Sequence, residues 1–146
     1  MISEQHEKIL ATTVIGCFST LRKKDGRIST NPVSFLWNGK EFEISTLKGR
    51  VKYKNLAANP QATLCVISGE DPMHYVEIRG SVRLVDDPDR GLFKAHFRKV
   101  SGGVEAPPGM DPEGSERAMI VLTPEQVSSP VMYSGTFDNF EEYQGK

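Results

Sequence analysis

Cysteine is scarce in this sequence: only Cys17 and Cys65 are present among 146 residues. There is no CxxC pair, and the 3 histidines are scattered, so a zinc site built by the protein is not expected. Net charge is scarce as well, at −1, so no broad positive field invites nucleic acid or an anionic membrane. No run approaches the roughly 20 apolar residues of a membrane span. The opening MISEQHEKIL has neither a basic region nor an apolar stretch, so a secretory leader is not expected. These absences together lead to the expectation of a cytoplasmic protein with no nucleic-acid or membrane partner. Both cysteines sit in apolar runs, VIGCF and LCVIS. Buried reduced thiols are the expectation, with a disulfide or a catalytic thiol as alternatives.

What is present is enough for one folded unit. Charged residues make up 25% of the chain and are mixed in sign, which is not a disordered composition. The length suits a single domain over 1–146, with a core over about 12–127 and a C-terminal tail over 128–146. Ser3 is placed to cap a helix over Glu4–Ala11. Val14–Leu21 reads as a strand that turns at Lys24-Asp25-Gly26 and returns over Arg27–Trp37. Pro32 cannot donate to a ladder and marks a bulge or an edge. Asn38-Gly39 turns the chain into a third strand, Glu41–Thr46, and Val51–Ala58 then suits a short helix stopped at Asn59-Pro60.

A fourth strand is expected over Ala62–Ile67. Tyr75–Val85 alternates apolar and polar residues with a period of two, the mark of a strand with one face in the core. Gly80 interrupts it, as a bulge or a close approach of another backbone. Asp87-Pro88 should open a helix whose apolar stripe is Leu92, Phe93, His96 and Phe97. Ser101–Glu116, rich in Gly and Pro, reads as a long loop or lid. Ala118–Thr123 is the sixth strand, and Pro124–Val127 a turn or helical stop. Tyr133, Phe137, Phe140 and Tyr143 in the tail need a surface to dock on. Six strands with hairpin-length turns suggest a mainly β fold, an antiparallel six-stranded barrel with short flanking helices.

The segment Thr46–Leu56 carries the clearest chemistry. Gly49 allows a sharp turn, and Arg50, Lys52 and Lys54 then crowd the start of a helix. The helix dipole is already positive there, so cations belong at that end only if an anion joins them. The alternative is a solvated basic helix face. No acid–base dyad or nucleophile triad stands out, so catalytic side chains remain unassigned. His74 reads as loop surface or pocket wall, and Trp37 as core or cofactor wall. Glu77 and Arg79 read as a structural ion pair or a pair across a dimer.

The segment GRVKYKNLAANP resembles the phosphate-binding stretch of the pyridoxamine-5'-phosphate-oxidase-like split-barrel superfamily, which binds flavins and deazaflavins. FSTLRKKDGRISTNPVSFLW, FEISTLKG and PMHYVEIRGSVRLVDDPD agree in order and spacing, so the resemblance runs from about Val14 to Val127. The wording is most similar to the deazaflavin-dependent branch, which uses coenzyme F-420 (F420); the FMN-binding branch is close. The resemblance implies a split barrel and a homodimer with cofactor in a groove between subunits. It implies hydride transfer from reduced deazaflavin to an electron-poor small molecule. Alternatives on the same fold are an FMN-dependent oxidoreductase and a non-catalytic flavin- or haem-binding dimer. By position, Arg50 and Lys52 would hold the phosphate, with Lys54 and Asn55 supporting. Ser45 and Thr46 would lie beside the phosphate or ribityl chain, and Asn31, Val33 and Ser34 would line the ring, mainly through backbone groups. Arg22, Lys23 and Lys24 read as a solvated hairpin surface, which would also suit an oligoglutamate tail.

Overall fold

The structure is a computed structural model and describes residues 1–129. The tail aromatics Tyr133, Phe137, Phe140 and Tyr143 lie outside the described residues. Seven strands and three helices follow one another as α1 (Glu4–Leu10), β1 (Ile15–Leu21), β2 (Ile28–Ser34), β3 (Leu36–Trp37), β4 (Phe42–Leu47), α2 (Val51–Ala58), β5 (Gln61–Ile67), β6 (Tyr75–Asp87), α3 (Gly91–Val100) and β7 (Arg117–Ser128). The strands form one antiparallel sheet in the order β2-β1-β5-β6-β7-β4-β3.

That order dictates a curled sheet. Its two edge strands, β2 and β3, are separated in sequence by Phe35 alone. Opposite edges joined by one residue must lie side by side, so the sheet wraps almost onto itself. Phe35 is nearly fully buried at that junction, and its N–H donates to Val14 O at 2.8 Å. Here the expected count of six strands is corrected to seven. The run Arg27–Trp37 is two strands, because it pairs with β1 over its first part and with β4 over its last.

Alternation fills the inside of the curl. Phe18, Phe42, Ile44, Leu64, Val66, Val76, Ile78, Ile120 and Leu122 point inward and are essentially inaccessible. Ile9 and Leu10 of α1 and Leu56 of α2 join the same core, which therefore starts before residue 12. Ser3 caps α1 as expected, in a capping box whose third residue is His6. Gly80 fulfils both expectations placed on it. The β6–β7 register shifts between Arg79 and Gly80, and a Cβ on Gly80 would lie 1.9 Å from Thr123 O.

Three element boundaries differ from expectation. β7 does not stop at Thr123 but runs to Ser128, because Pro124 faces the β6 bulge, where a missing N–H costs no ladder bond. β6 extends to Asp87, and α3 begins at Gly91 rather than at Pro88. Asp87 still caps the helix from a distance: its two carboxylate oxygens accept from Leu92 N at 3.0 Å and Phe93 N at 2.7 Å. Phe93 and His96 are buried, whereas Leu92 is 43% exposed and falls outside the expected stripe.

The cysteines correct a further expectation. Cys17 is exposed and Cys65 only half buried, both as free thiols. They oppose each other across β1 and β5 on the outward face, and burial, then the neighbouring Cys17, pushes the Cys65 thiol pKa up.

Candidate functional site

The near-closure of the sheet leaves a seam. β3 pairs with β4 through Leu36↔Glu43 and Trp37↔Phe42. Continuing that register would set Ser34 against Ser45 and Val33 against Thr46. The ladder stops instead: β2 and β4 approach each other without pairing. The sequence-predicted residues Asn31, Val33 and Ser34 thus stand on one lip of the seam, with Ser45 and Thr46 on the other.

The lips differ from expectation in which groups they offer. Phe35 N bonds to Val14 O, so the alternation of an antiparallel ladder turns the backbone groups of Val33 and Asn31 toward β1. The backbone groups of Thr30, Pro32 and Ser34 face the seam instead. Pro32 fits there because its position needs no N–H. Val33 is buried in the core, and the Asn31 amide donates to Pro32 O at 3.2 Å. Thr46 is buried, while Ser45 points outward beside Arg117, whose Nη1 donates to Ser45 Oγ at 3.5 Å.

Three residues separate β4 from α2. Lys48 N donates to Glu116 O and Arg50 N to Leu47 O, which fixes the turn, and Arg50 and Val51 at the start of α2 are exposed. Arg50 is the N-cap, makes no side-chain capping bond, and the first turn holds no acidic residue. Among the described residues Arg50, Lys52 and Lys54 have no carboxylate partner, whereas Lys48 nearby is held by Asp86 at 2.9 Å and Glu116 at 3.3 Å. Lys52 is half buried, and desolvation, then the Arg50 charge, lowers its pKa. Two unmatched cations at a positive helix end are what an anionic phosphate would relieve. This donor set fits a phosphate-bearing cofactor.

Asn55 supports that arrangement indirectly. It is buried, its amide donates to Thr20 Oγ1 at 3.1 Å, and its oxygen accepts from Lys23 N at 3.1 Å. Those bonds fasten α2 to the β1–β2 hairpin. Arg22 is engaged with Asp25 at 3.0 Å, which leaves Lys23, Lys24 and Arg27 as the hairpin's cations without a carboxylate partner among the described residues.

A cleft of about 820 Å³ opens between residues 47–50 and 110–117. Its far wall is the segment expected to be a structureless loop, and that segment is anchored. Asp111 is buried and accepts from Arg117 Nε at 2.8 Å and Nη2 at 2.6 Å. Arg117 in turn lies 3.8 Å above the centre of the Phe93 ring. The Arg117 hydrogen bonds, outweighing the cost of burial, lower the Asp111 pKa. Nothing in the sequence marked Asp111 or Arg117. One is an acid in a Gly/Pro-rich loop and the other opens a strand, and only the fold brings them together. His74 and Trp37 stand apart from these cations. His74 lies 3.5 Å from Asp71, and Trp37 packs on Phe42 with its ring nitrogen donating to Glu7.

The sequence model of the pyridoxamine 5'-phosphate oxidase family matches residues 2–129. Among solved structures, an F-420 reductase is similar at 30% identity and a TM-score of 0.75, covering 86% of this chain and 98% of that one. A haem-binding protein of Mycobacterium smegmatis is similar in fold at 20% identity and a TM-score of 0.65, covering 86% of this chain and 52% of that one. General Stress Protein 26 of Bacillus anthracis shares the fold at 17% identity and a TM-score of 0.63, covering 87% and 94%. No curated protein matches the sequence.

Proposed function

The chain belongs to the pyridoxamine 5'-phosphate oxidase family, and from that premise we propose that it is a deazaflavin-dependent oxidoreductase. In this reading coenzyme F-420 binds along the seam, and the protein acts as a cytoplasmic homodimer on an electron-poor small molecule. The observation that carries the proposal is the pair Arg50 and Lys52, unmatched by any carboxylate among the described residues and set at the start of α2. The likeness to an F-420 reductase supports the choice of cofactor. When bound, a reduced deazaflavin supplies a hydride to the acceptor.

The chain's own residues bind and orient. Arg50 offers a planar fork and Lys52 a point charge to the phosphate, with Lys54 adding to the local positive potential. Backbone groups of Thr30, Pro32 and Ser34, with the hydroxyl of Ser45, line the seam where a ring system would lie. The cleft beyond Arg50 leaves room for an extension past the phosphate. Its lysine, Lys48, is already neutralised by two carboxylates, so such an extension would meet little net charge there.

Strands β1, β2 and β5 contain no charged residue, and on their outward face Ile15, Ile28 and Ile67 are exposed. That uncharged face, next to the seam, is the surface on which a second copy would complete the groove.

A second reading, FMN in place of the deazaflavin, is favoured by one observation. FMN ends in a single phosphate, which Arg50 and Lys52 can satisfy alone. Titrating the apo-protein with coenzyme F-420, FMN, FAD and haem separates these cases. The expected result is tightest binding of F-420. Tight FMN binding with no deazaflavin binding selects the second reading, and haem binding alone overturns both.

A further inference from the structure

His96 sits on α3 at 4% exposure, with its Nε2 3.4 Å from Ser34 Oγ. Its Nδ1 is buried and has no hydrogen-bond partner among the described residues. Ser34 from β2 touches the ring, and the charges that act on it are Glu43 from β4, Arg117 from β7 and Lys99 on its own helix. Desolvation lowers the imidazole pKa, and Arg117 and Lys99 push the same way against Glu43. The ring is therefore neutral near pH 7, and one nitrogen carries the hydrogen. With the hydrogen on Nδ1, a buried N–H would be left without an acceptor, and such orphaned donors are the rarer kind in folded proteins. With the hydrogen on Nε2, only a lone pair is left unmet, and the N–H has Ser34 Oγ as its acceptor.

We propose that His96 is a positioning residue held as the Nε2–H tautomer, which by donating to Ser34 Oγ turns the Ser34 hydroxyl hydrogen into the seam as a donor to a ligand carbonyl. The opposite lip repeats the device. Ser45 Oγ accepts from Arg117 Nη1, and Arg117 is fixed by Asp111 behind it. The hydroxyls of Ser34 and Ser45 are thus each backed by a donor and left with their own hydrogen to offer. Two such donors suit the carbonyl-bearing edge of a flavin or deazaflavin ring, so the ligand half of this assignment rests on the function proposed above.

The first test needs no ligand. Nitrogen-15 NMR of the histidine rings in the apo-protein, with H96Q identifying the His96 signals, is expected to show Nε2–H. An Nδ1–H pattern overturns the proposal. The second test is a binding titration with F-420 and FMN. S34A and H96L should each weaken the cofactor that binds by about tenfold, the worth of one hydrogen bond. The double variant should lose no more than either alone, and H96Q, which restores an amide donor near Nε2, should recover most of the loss. H96L binding as tightly as the parent overturns the proposal. Should H96L fail to fold, S34A in the parent and in H96Q carries the test, and undiminished binding by S34A overturns it. A parent that binds no flavin or deazaflavin sinks the functional reading instead, and the tautomer measurement still decides the assignment of His96.

Discussion

Lys52 and Arg50 bear like charges at the same helix end, and the fold gains nothing from holding them there. Lys52 is half buried without a partner, and its lowered pKa expresses that cost. For a base whose folded pKa lies below its ordinary 10.5, the penalty is full below the folded value and lifts as pH rises toward 10.5. Lys52→Met should therefore raise the apo-protein's Tm at pH 7 by roughly 1–3 °C, while weakening cofactor binding. Arg50→Ala should leave Tm nearly unchanged and cost about 1.5–3 kcal/mol of cofactor affinity, the range for a charge-assisted bond. Calorimetry with and without cofactor checks both, and a K52M protein less stable than the parent would show that Lys52 is structural. These cations were legible in the sequence because charge at the wrong end of a helix is a local signal. Asn55 was legible only as a neighbour of that signal. Its actual work, fastening α2 to Thr20 and Lys23, depends on partners more than thirty residues away. Cys17 misled for a related reason: an apolar run does not say which of its alternate residues faces out.

At the scale of elements, hairpins and helices were readable because turn residues and periodicity act locally. Strand β7 past Thr123 and the break between β2 and β3 were not, because both depend on which strand lies alongside. The bulge at Gly80 shows the coupling. Any side chain there meets the Thr123 carbonyl, so Gly80→Ala should destabilise the fold by about 3 kcal/mol, read as a fall in the urea midpoint. A near-neutral effect would mean that β7 can slide away from the bulge. The 101–116 segment makes a different prediction. Asp111 holds it through Arg117, and the pKa of Asp111 is depressed from its ordinary 3.8. That contribution is complete above about 3.8 and is lost as pH falls through the depressed value. Asp111→Asn removes the charge at every pH and should cost about 3 kcal/mol. The expected sign is protease cleavage within residues 101–116 at neutral pH in the variant, with the sheet intact. Equal resistance in variant and parent would show the segment is held by something else.

For the whole molecule, the outward face of β2-β1-β5 is the feature most at odds with an isolated chain. Strand β2 is a sheet edge, and none of the three strands carries a charge that would discourage association. The face continues through Thr63 and Tyr75 to the ion pair of Glu77 and Arg79, 3.0 Å apart, at its far side. A depression of about 570 Å³ lies on it, lined in part by Ser19, Ile28, Thr63, Arg79 and Gln126. A stable pair needs about 800 Å² from each partner, and an uncharged three-strand face can contribute to such a contact without burying an unpaired charge. A lysine at Ile15 and another at Ile67 would each place a charge into the contact while remaining solvated in the monomer, where both positions are about half exposed. The double variant I15K/I67K is therefore expected to fold with the parent's circular dichroism, to sediment as a monomer at micromolar concentration, and to bind cofactor weakly although Arg50 and Lys52 are untouched. R50A is expected to do the reverse, remaining dimeric while losing cofactor. A monomeric double variant that keeps the parent's cofactor affinity would show that the seam of one chain is sufficient. A parent that sediments as a monomer would remove the shared groove altogether and leave the uncharged face to be explained by another partner.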